Sequence, residues 1–372
     1  MKILFIGGLG CGGAEHQMVI LAKQLAERGY DVFFVTADKN GFFGDELEKS
    51  KVRVIENPQK RVVAELKLNI PYSTRFLFRL VKEESVDVGI SFLGANNFIN
   101  CILSLLMRGK YKAITGLRNA RESLLLSRRE LLYTKFERFA SLKVCNSDNA
   151  RIMYAKHFPQ YQEKLRTIYN VVNLPPISSQ YKIRQDGKTH FIVPASYRVE
   201  KNPYGLLNAL KLMTPEELEL FDVTWYGATC NGESPYYVQL RGDIQKANLQ
   251  DVLILKDATK DIANKMYETD VVALFSSSEG LPNAICEGMM IGKPIVMTRV
   301  SDYGALVDES NGMLCNWNDS HSIKNALIYI SKLSDRELLE MGVASHSKAE
   351  RLFSEDSNIS KWIEIVNKVT NN

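Results

Sequence analysis

The sequence predicts an α/β protein made of two doubly wound parallel-sheet domains in series. Three observations lead there. Short apolar runs alternate with stretches of helical period through both halves of the chain, the pattern of repeated strand–helix–strand units. The alternation stops once, at Asn173-Leu-Pro-Pro-Ile-Ser-Ser, and Pro, Ser and polar residues continue to Thr189. The length of 372 residues suits roughly two to three domains. The expected layout is a first domain over 1–173, a linker over 174–189, a second domain over 190–350 and a helical segment over 351–372.

Ile3–Ile6 is the first strand; it gives way at once to glycines, so it is not the apolar core of a signal peptide. Met18, Val19, Leu21, Ala22, Leu25 and Ala26 then mark one face of a helix that Gly29 closes. Val32–Val35, Val88–Phe92, Ala113–Gly116 and Lys143–Asn146 complete the first set of strands. The second set is His190–Pro194, Val223–Tyr226, Val252–Leu255, Val271–Phe275, Ile295–Met297 and Met313–Cys315. Near the end, Ile359, Trp362, Ile363 and Val366 recur at helical spacing, so the last segment is an amphipathic helix.

Hydrophobic residues make up 45% of the chain and charged residues 24%, ordinary for a soluble globular protein. No run approaches the roughly 18–20 apolar residues that span a bilayer. Cys11, Cys101, Cys145, Cys230, Cys286 and Cys315 are scattered without C-x-x-C spacing. They read as reduced thiols of a cytoplasmic protein, and no zinc or other metal site is expected. The net charge of +4 hides an asymmetry: residues 1–173 carry +10 and residues 174–372 carry −6. Much of the excess lies between Arg108 and Arg138. That stretch either faces anionic lipid or a polyanionic acceptor, or is a solvated surface; nucleic acid is not expected, because no recognition motif accompanies the charge. From Arg121 to Lys143 basic residues alternate with Leu124, Leu125, Leu126, Leu131, Leu132, Phe136 and Phe139. This reads either as a helix resting on a membrane surface or as a buried helix with one charged face.

The most informative segment is Ser276-Ser-Ser-Glu279-Gly280-Leu281-Pro282-Asn283-Ala-Ile-Cys-Glu287-Gly-Met. An apolar strand runs into a polar loop bearing Glu279, and Pro282 suits the first position of a helix that ends near Gly292. Free N–H groups at such a helix start accept phosphate, while carboxylates accept hydroxyls. A ligand with phosphates flanked by sugars uses both. The whole string resembles the signature of the retaining glycosyltransferases of family four. That resemblance implies the GT-B fold, with two Rossmann-like domains facing a central cleft and the final helix crossing back onto the first domain.

Other segments fit the same family. Ala195-Ser-Tyr-Arg198-Val-Glu-Lys201-Asn-Pro203 follows the first strand of the second domain. In the family an Arg and a Lys in this loop grip the pyrophosphate, whose negative charge grows as the glycosidic bond breaks. The Arg198–Lys201 spacing is shorter than the commoner family pattern. Gly12-Gly13-Ala-Glu15 resembles the family's G-G-A-E turn, where backbone N–H groups approach the donor. Arg118-Asn119 stands where many members carry a histidine near the acceptor, so no catalytic base is assigned there. The resemblance gives Lys201, Arg198 and Glu279 catalytic roles. It gives donor-binding roles to Gly280, Leu281, Pro282, Asn283 and Glu287, the last toward the ribose. It implies a UDP-sugar donor, no cofactor, a lipid-linked saccharide acceptor of bacterial surface polysaccharide, and residence on the inner face of the plasma membrane. No D-x-D triplet suggests a metal-bridged donor.

Two alternatives stay open. Gly8-Leu-Gly10-Cys-Gly12-Gly13 formally matches the dinucleotide fingerprint, with Asp38 after the second strand, as in an NAD-dependent oxidoreductase. The chain is otherwise a catalytically silent subunit that keeps the fold and binds a partner transferase.

Overall fold

A computed structural model describes residues 1–10, 12–57, 69–118, 122–172, 174–176, 184, 186–229 and 234–371. Half of the expected linker, 177–183 and 185, lies outside the described residues. The chain forms two compact units: Met1–Val171 with Glu355–Asn372, and Val172–Ser354.

The first unit holds β1 (Lys2–Ile6), β2 (Asp31–Thr36), β3 (Arg53–Glu56), β4 (Val88–Phe92), β5 (Lys112–Leu117), β6 (Leu142–Cys145) and β7 (Leu165–Thr167). They pair in parallel in the order β3-β2-β1-β4-β5-β6-β7. Alternate residues of β1 and β2 serve opposite faces, as strand geometry requires. Ile3, Phe5, Val32 and Phe34 pack with Met18, Val19 and Leu25 of the helix Gly13–Glu27. Ile359, Trp362 and Val366 of the helix Glu355–Thr370 join that same cluster. Leu4, Ile6, Phe33 and Val35 pack on the other face with Leu77, Val81, Ile99 and Leu103. The second unit holds β8 (Thr189–Pro194), β9 (Phe221–Gly227), β10 (Leu253–Asp257), β11 (Val271–Leu274), β12 (Ile295–Thr298) and β13 (Gly312–Cys315). Its parallel order is β10-β9-β8-β11-β12-β13.

Two strands were absent from the sequence expectation. β3 (RVIE) and β7 (LRT) carry too few apolar residues to show a pattern, and each is an edge strand held by one neighbour. The stretch 121–143 is not a single helix. It breaks into Glu122–Leu125, Arg128–Thr134, a 3-10 turn over Lys135–Phe139 and then β6. Its charges divide accordingly. Arg128, Arg129, Leu131, Leu132, Lys135 and Arg138 are exposed, whereas Lys143 on β6 points into the protein and pairs with Glu137 at 2.7 Å. Among the cysteines, Cys101, Cys145, Cys286 and Cys315 are buried free thiols; Cys11 and Cys230 lie outside the described residues. No described helix is long and apolar enough to cross a membrane.

Candidate active site

In the second sheet β8 and β11 lie side by side, and β9 flanks β8 on the other edge. The connections leave in opposite directions there, which opens a crevice at the carboxyl ends of the two strands. Both candidate loops start at those ends. After β8, a 3-10 turn Val199–Lys201 runs into Asn202, which adopts the left-handed region at φ 62°. Asparagine tolerates that conformation, and Pro203 then opens the helix Pro203–Leu210 at a position where its missing N–H costs nothing. The Asn202 side chain accepts from Gly205 N–H at 3.2 Å and donates to the carbonyls of Phe275 (3.1 Å) and Trp317 (2.8 Å). The Lys-Asn-Pro motif thus clamps the loop after β8 to the loop after β11. A second tie runs from Ser277 N–H to the Glu200 carbonyl at 2.9 Å.

These ties bring Lys201 to Glu279. The ammonium lies 2.5 Å from Glu279 Oε1, and the Ser276 hydroxyl donates to the same oxygen at 2.6 Å. The side chains are 24% and 12% exposed, so a cation is held at the crevice by a sheltered carboxylate. Thr298 donates to the Ser276 carbonyl at 2.6 Å and Ser301 donates to the Gly280 carbonyl, which fixes the rest of the loop. Arg198 is different: its side chain is 53% exposed, with the guanidinium 4.0 Å from Glu200.

Leu281 and Pro282 are buried, and the helix runs Asn283–Ile291. Pro282 takes the cap position rather than the first helical one, a one-residue difference, and its own side chain offers the helix amides no cap. Gly288 explains its place in the motif: a Cβ there would sit 2.8 Å from the Val272 side chain, so glycine lets the helix close on β11. Glu287, half-buried on this helix, has no hydrogen-bond partner among the described residues. Burial pushes its pKa up to about 7. It is an acceptor without a donor.

The remaining candidates lie in the first unit. Gly12, in extended conformation, precedes the helix that starts at Gly13, and the Glu15 carboxylate folds back against it. Arg118, at the end of β5, does not belong to the surface basic patch. Its guanidinium stacks 3.6 Å over Phe92, lies 5.9 Å from the Trp362 ring and donates to Asn170 Oδ1 at 3.1 Å. Its Nε is buried without a partner among the described residues, and burial lowers its pKa to about 9. Asn119 lies outside the described residues. The sequence reading missed Ser276, Asn202 and the Glu200 carbonyl as organisers of the site; the serine heading the Glu279 loop and the Lys-Asn-Pro run were the available signals. Among the described residues no three His, Cys, Asp or Glu side chains converge as metal ligands.

Known proteins match both halves. The model of Glycosyltransferase Family 4 matches residues 11–175, and that of Glycosyl transferases group 1 matches residues 174–332. N-acetyl-alpha-D-glucosaminyl L-malate synthase of Bacillus anthracis is 21% identical over 96% of this chain and 93% of its own. UDP-Gal:alpha-D-GlcNAc-diphosphoundecaprenol alpha-1,3-galactosyltransferase of Escherichia coli is 35% identical, over 23% of this chain and 22% of its own. The crystal structure of Anabaena Alr3699/HepE in complex with UDP superposes with a TM-score of 0.83 at 21% identity, over 99% of this chain and 100% of that one. With consecutive family models spanning both units and two parallel-sheet units of matching topology, the chain belongs to the family 4 glycosyltransferases and has the GT-B fold.

Proposed function

We propose that this glycosyltransferase moves a hexose or N-acetylhexosamine from a UDP-sugar to a saccharide hydroxyl, with retention at the anomeric carbon. The carrying observation is the pairing of Lys201 with Glu279, 2.5 Å apart, where the loops that leave the carboxyl ends of β8 and β11 meet. Lys201 and Arg198 face the charge that develops on the departing diphosphate, the work a metal ion does in other transferases. The start of the helix Asn283–Ile291, where the cap residue is a proline, supplies N–H groups to the same phosphates. Glu287 accepts the ribose hydroxyls, and Glu279 with the backbone of Gly280 to Asn283 holds the sugar. The Gly12-Gly13-Ala-Glu15 turn and the Arg118-Asn119 pair serve the donor and acceptor from the first unit.

In the front-face step the acceptor oxygen bonds to the anomeric carbon on the side the diphosphate leaves. The carbon–oxygen bond to phosphate breaks and the acceptor proton passes to the leaving phosphate, so no protein nucleophile is needed. The nucleotide and lipid-carried acceptor of the proposal are supported by the UDP in the HepE structure and by the diphosphoundecaprenol in the E. coli relative's name. An acceptor of that kind places the enzyme at the cytoplasmic side of a membrane, in surface-polysaccharide synthesis. Transfer from UDP-sugars to a diphosphate-lipid saccharide, followed by proton NMR of the new anomeric centre, tests the reading. An axial donor should give an axial product, with turnover intact in EDTA. Donor binding without transfer across an acceptor panel would favour the silent-subunit alternative, and NAD binding in place of UDP would revive the oxidoreductase.

Glu287 adds a pH-dependent prediction. If the ionised carboxylate binds the ribose, UDP-sugar affinity should fall about tenfold between pH 8 and pH 6, because the ionised fraction falls in that proportion around a pKa of about 7. Glu287→Gln should bind donor weakly and without that pH dependence, in calorimetry. The same variant should be more stable above pH 7. A folded pKa above the unfolded carboxyl value means the folded state keeps a proton the unfolded state has lost. Stability therefore declines as pH rises toward 7, and the penalty persists above it. Removing the charge recovers at most about 3 kcal/mol.

A further inference from the structure

We propose that Ser301 is a positioning residue for the donor sugar: its hydroxyl turns the Gly280–Leu281 peptide so that the Leu281 N–H meets a hydroxyl of that sugar. The inference rests on the UDP-sugar reading above and gives a role to the loop after β12. Ser301 has a φ of 57°, in the left-handed region, where residues other than glycine are uncommon. Its neighbours explain the turn. Val300 is 7% exposed and donates its N–H to the Thr298 carbonyl at 2.8 Å, closing the end of β12. Asp302 already starts the helix Tyr303–Leu306, its carbonyl accepting from Ala305 N–H at 2.8 Å and from Leu306 N–H at 3.1 Å. One residue is left to redirect the chain between them. Glycine would do so without strain, whereas serine keeps a backbone cost that persists only where something offsets it.

The side chain supplies the offset. Its hydroxyl donates to the Gly280 carbonyl, 21 residues away along the chain. The peptide that carries this carbonyl also carries the Leu281 N–H, and in a planar trans peptide the two point in opposite directions. β12 lies on one side of β11 and β8 on the other. A carbonyl drawn toward the loop after β12 therefore sends the N–H toward the loop after β8, where Lys201 meets Glu279 at 2.5 Å. Leu281 is 6% exposed, and its N–H donates to no described residue. Buried backbone donors are nearly always paired. A hydroxyl both donates and accepts, so one sugar can meet the Glu279 carboxylate and the nearby Leu281 N–H together, whereas a phosphate would meet the charge of the carboxylate.

The test is calorimetry of UDP, UDP-glucose and UDP-N-acetylglucosamine on the full chain, beside thermal melts. Ser301→Ala and Ser301→Gly should each weaken the UDP-sugar that the wild type binds by roughly three- to tenfold, the range of one neutral hydrogen bond, and leave UDP itself unchanged. Ser301→Gly should melt above Ser301→Ala, because glycine takes a positive φ without strain. Ser301→Asn tolerates the left-handed region and keeps a side-chain N–H donor, so it should recover part of the affinity. A serine that only turned the chain could be replaced by glycine without loss, so wild-type UDP-sugar affinity in Ser301→Gly overturns the proposal. So does an equal loss of UDP affinity, which would place the effect on the nucleotide or on the fold. If the wild type binds no UDP, the transferase reading itself fails. If it binds UDP and UDP-sugar and the variants match it, only the role of Ser301 falls.

Discussion

Lys201→Ala is expected to lower kcat by roughly 10²–10³, the usual cost of losing one preorganised group aimed at transition-state charge. The ammonium is held 2.5 Å from Glu279 by a carboxylate that Ser276 also orients, so little reorganisation is needed as the diphosphate leaves. Its partner should fail differently. Glu279→Ala frees Lys201 to move and removes a sugar contact, so kcat should fall with a smaller effect on UDP affinity. Lys201→Ala also leaves a carboxylate only 12% exposed, with Ser276 as its remaining partner among the described residues. A fall in melting temperature is therefore expected beside the loss of turnover, and Lys201→Ala/Glu279→Gln, which removes the uncompensated charge and should regain stability without regaining turnover, separates the two. Turnover at saturating donor and thermal melts of each variant make the check. Near-wild-type transfer by folded Lys201 and Glu279 variants would sink the assignment of this site.

Glu137→Ala should destabilise the first unit by roughly 3–5 kcal/mol, the cost of breaking a buried ion pair from one side. Glu137 and Lys143 are 8% and 6% exposed and lie 2.7 Å apart, and Thr115 donates to the other carboxylate oxygen at 2.7 Å. Burial by itself would push the Lys143 ammonium toward neutrality. Glu137 more than offsets it and holds the pKa above the ordinary lysine value. Without Glu137 the charge keeps only the Tyr154 ring, 5.0 Å away, among the contacts of the described residues, and a domain of this size should melt roughly 6–20 °C lower. The double variant Glu137→Leu/Lys143→Met should recover most of the loss, because apolar side chains of similar volume carry no desolvation penalty. A single variant as stable as wild type would show that water reaches the pair.

Local pattern was enough for much of the molecule. The buried face of the first helix, all six strands of the second sheet and the Glu279–Glu287 segment follow from periodicity, turn residues and spacing, which are short-range properties. Edge strands β3 and β7 escaped because a short strand paired on one side needs little apolar character of its own. Residue type alone leaves the place of two cations undecided. Arg118 and Lys143 look like members of a basic surface, yet one stacks on Phe92 and the other meets Glu137. Whether a cation is solvated depends on partners distant in sequence, which no local window contains. The contact between Lys201 and Glu279 spans 78 residues and exists because parallel pairing sets β8 beside β11. The amphipathic spacing of the last helix likewise says only that one face is apolar; the cluster with Ile3, Phe5 and Phe34 decides what covers it. The sequence by itself determined most of the elements, the family motif and the residue types that its chemistry needs. Tertiary structure decided which of those residues meet and which charges are buried, because strand order and burial are set by packing across the whole unit.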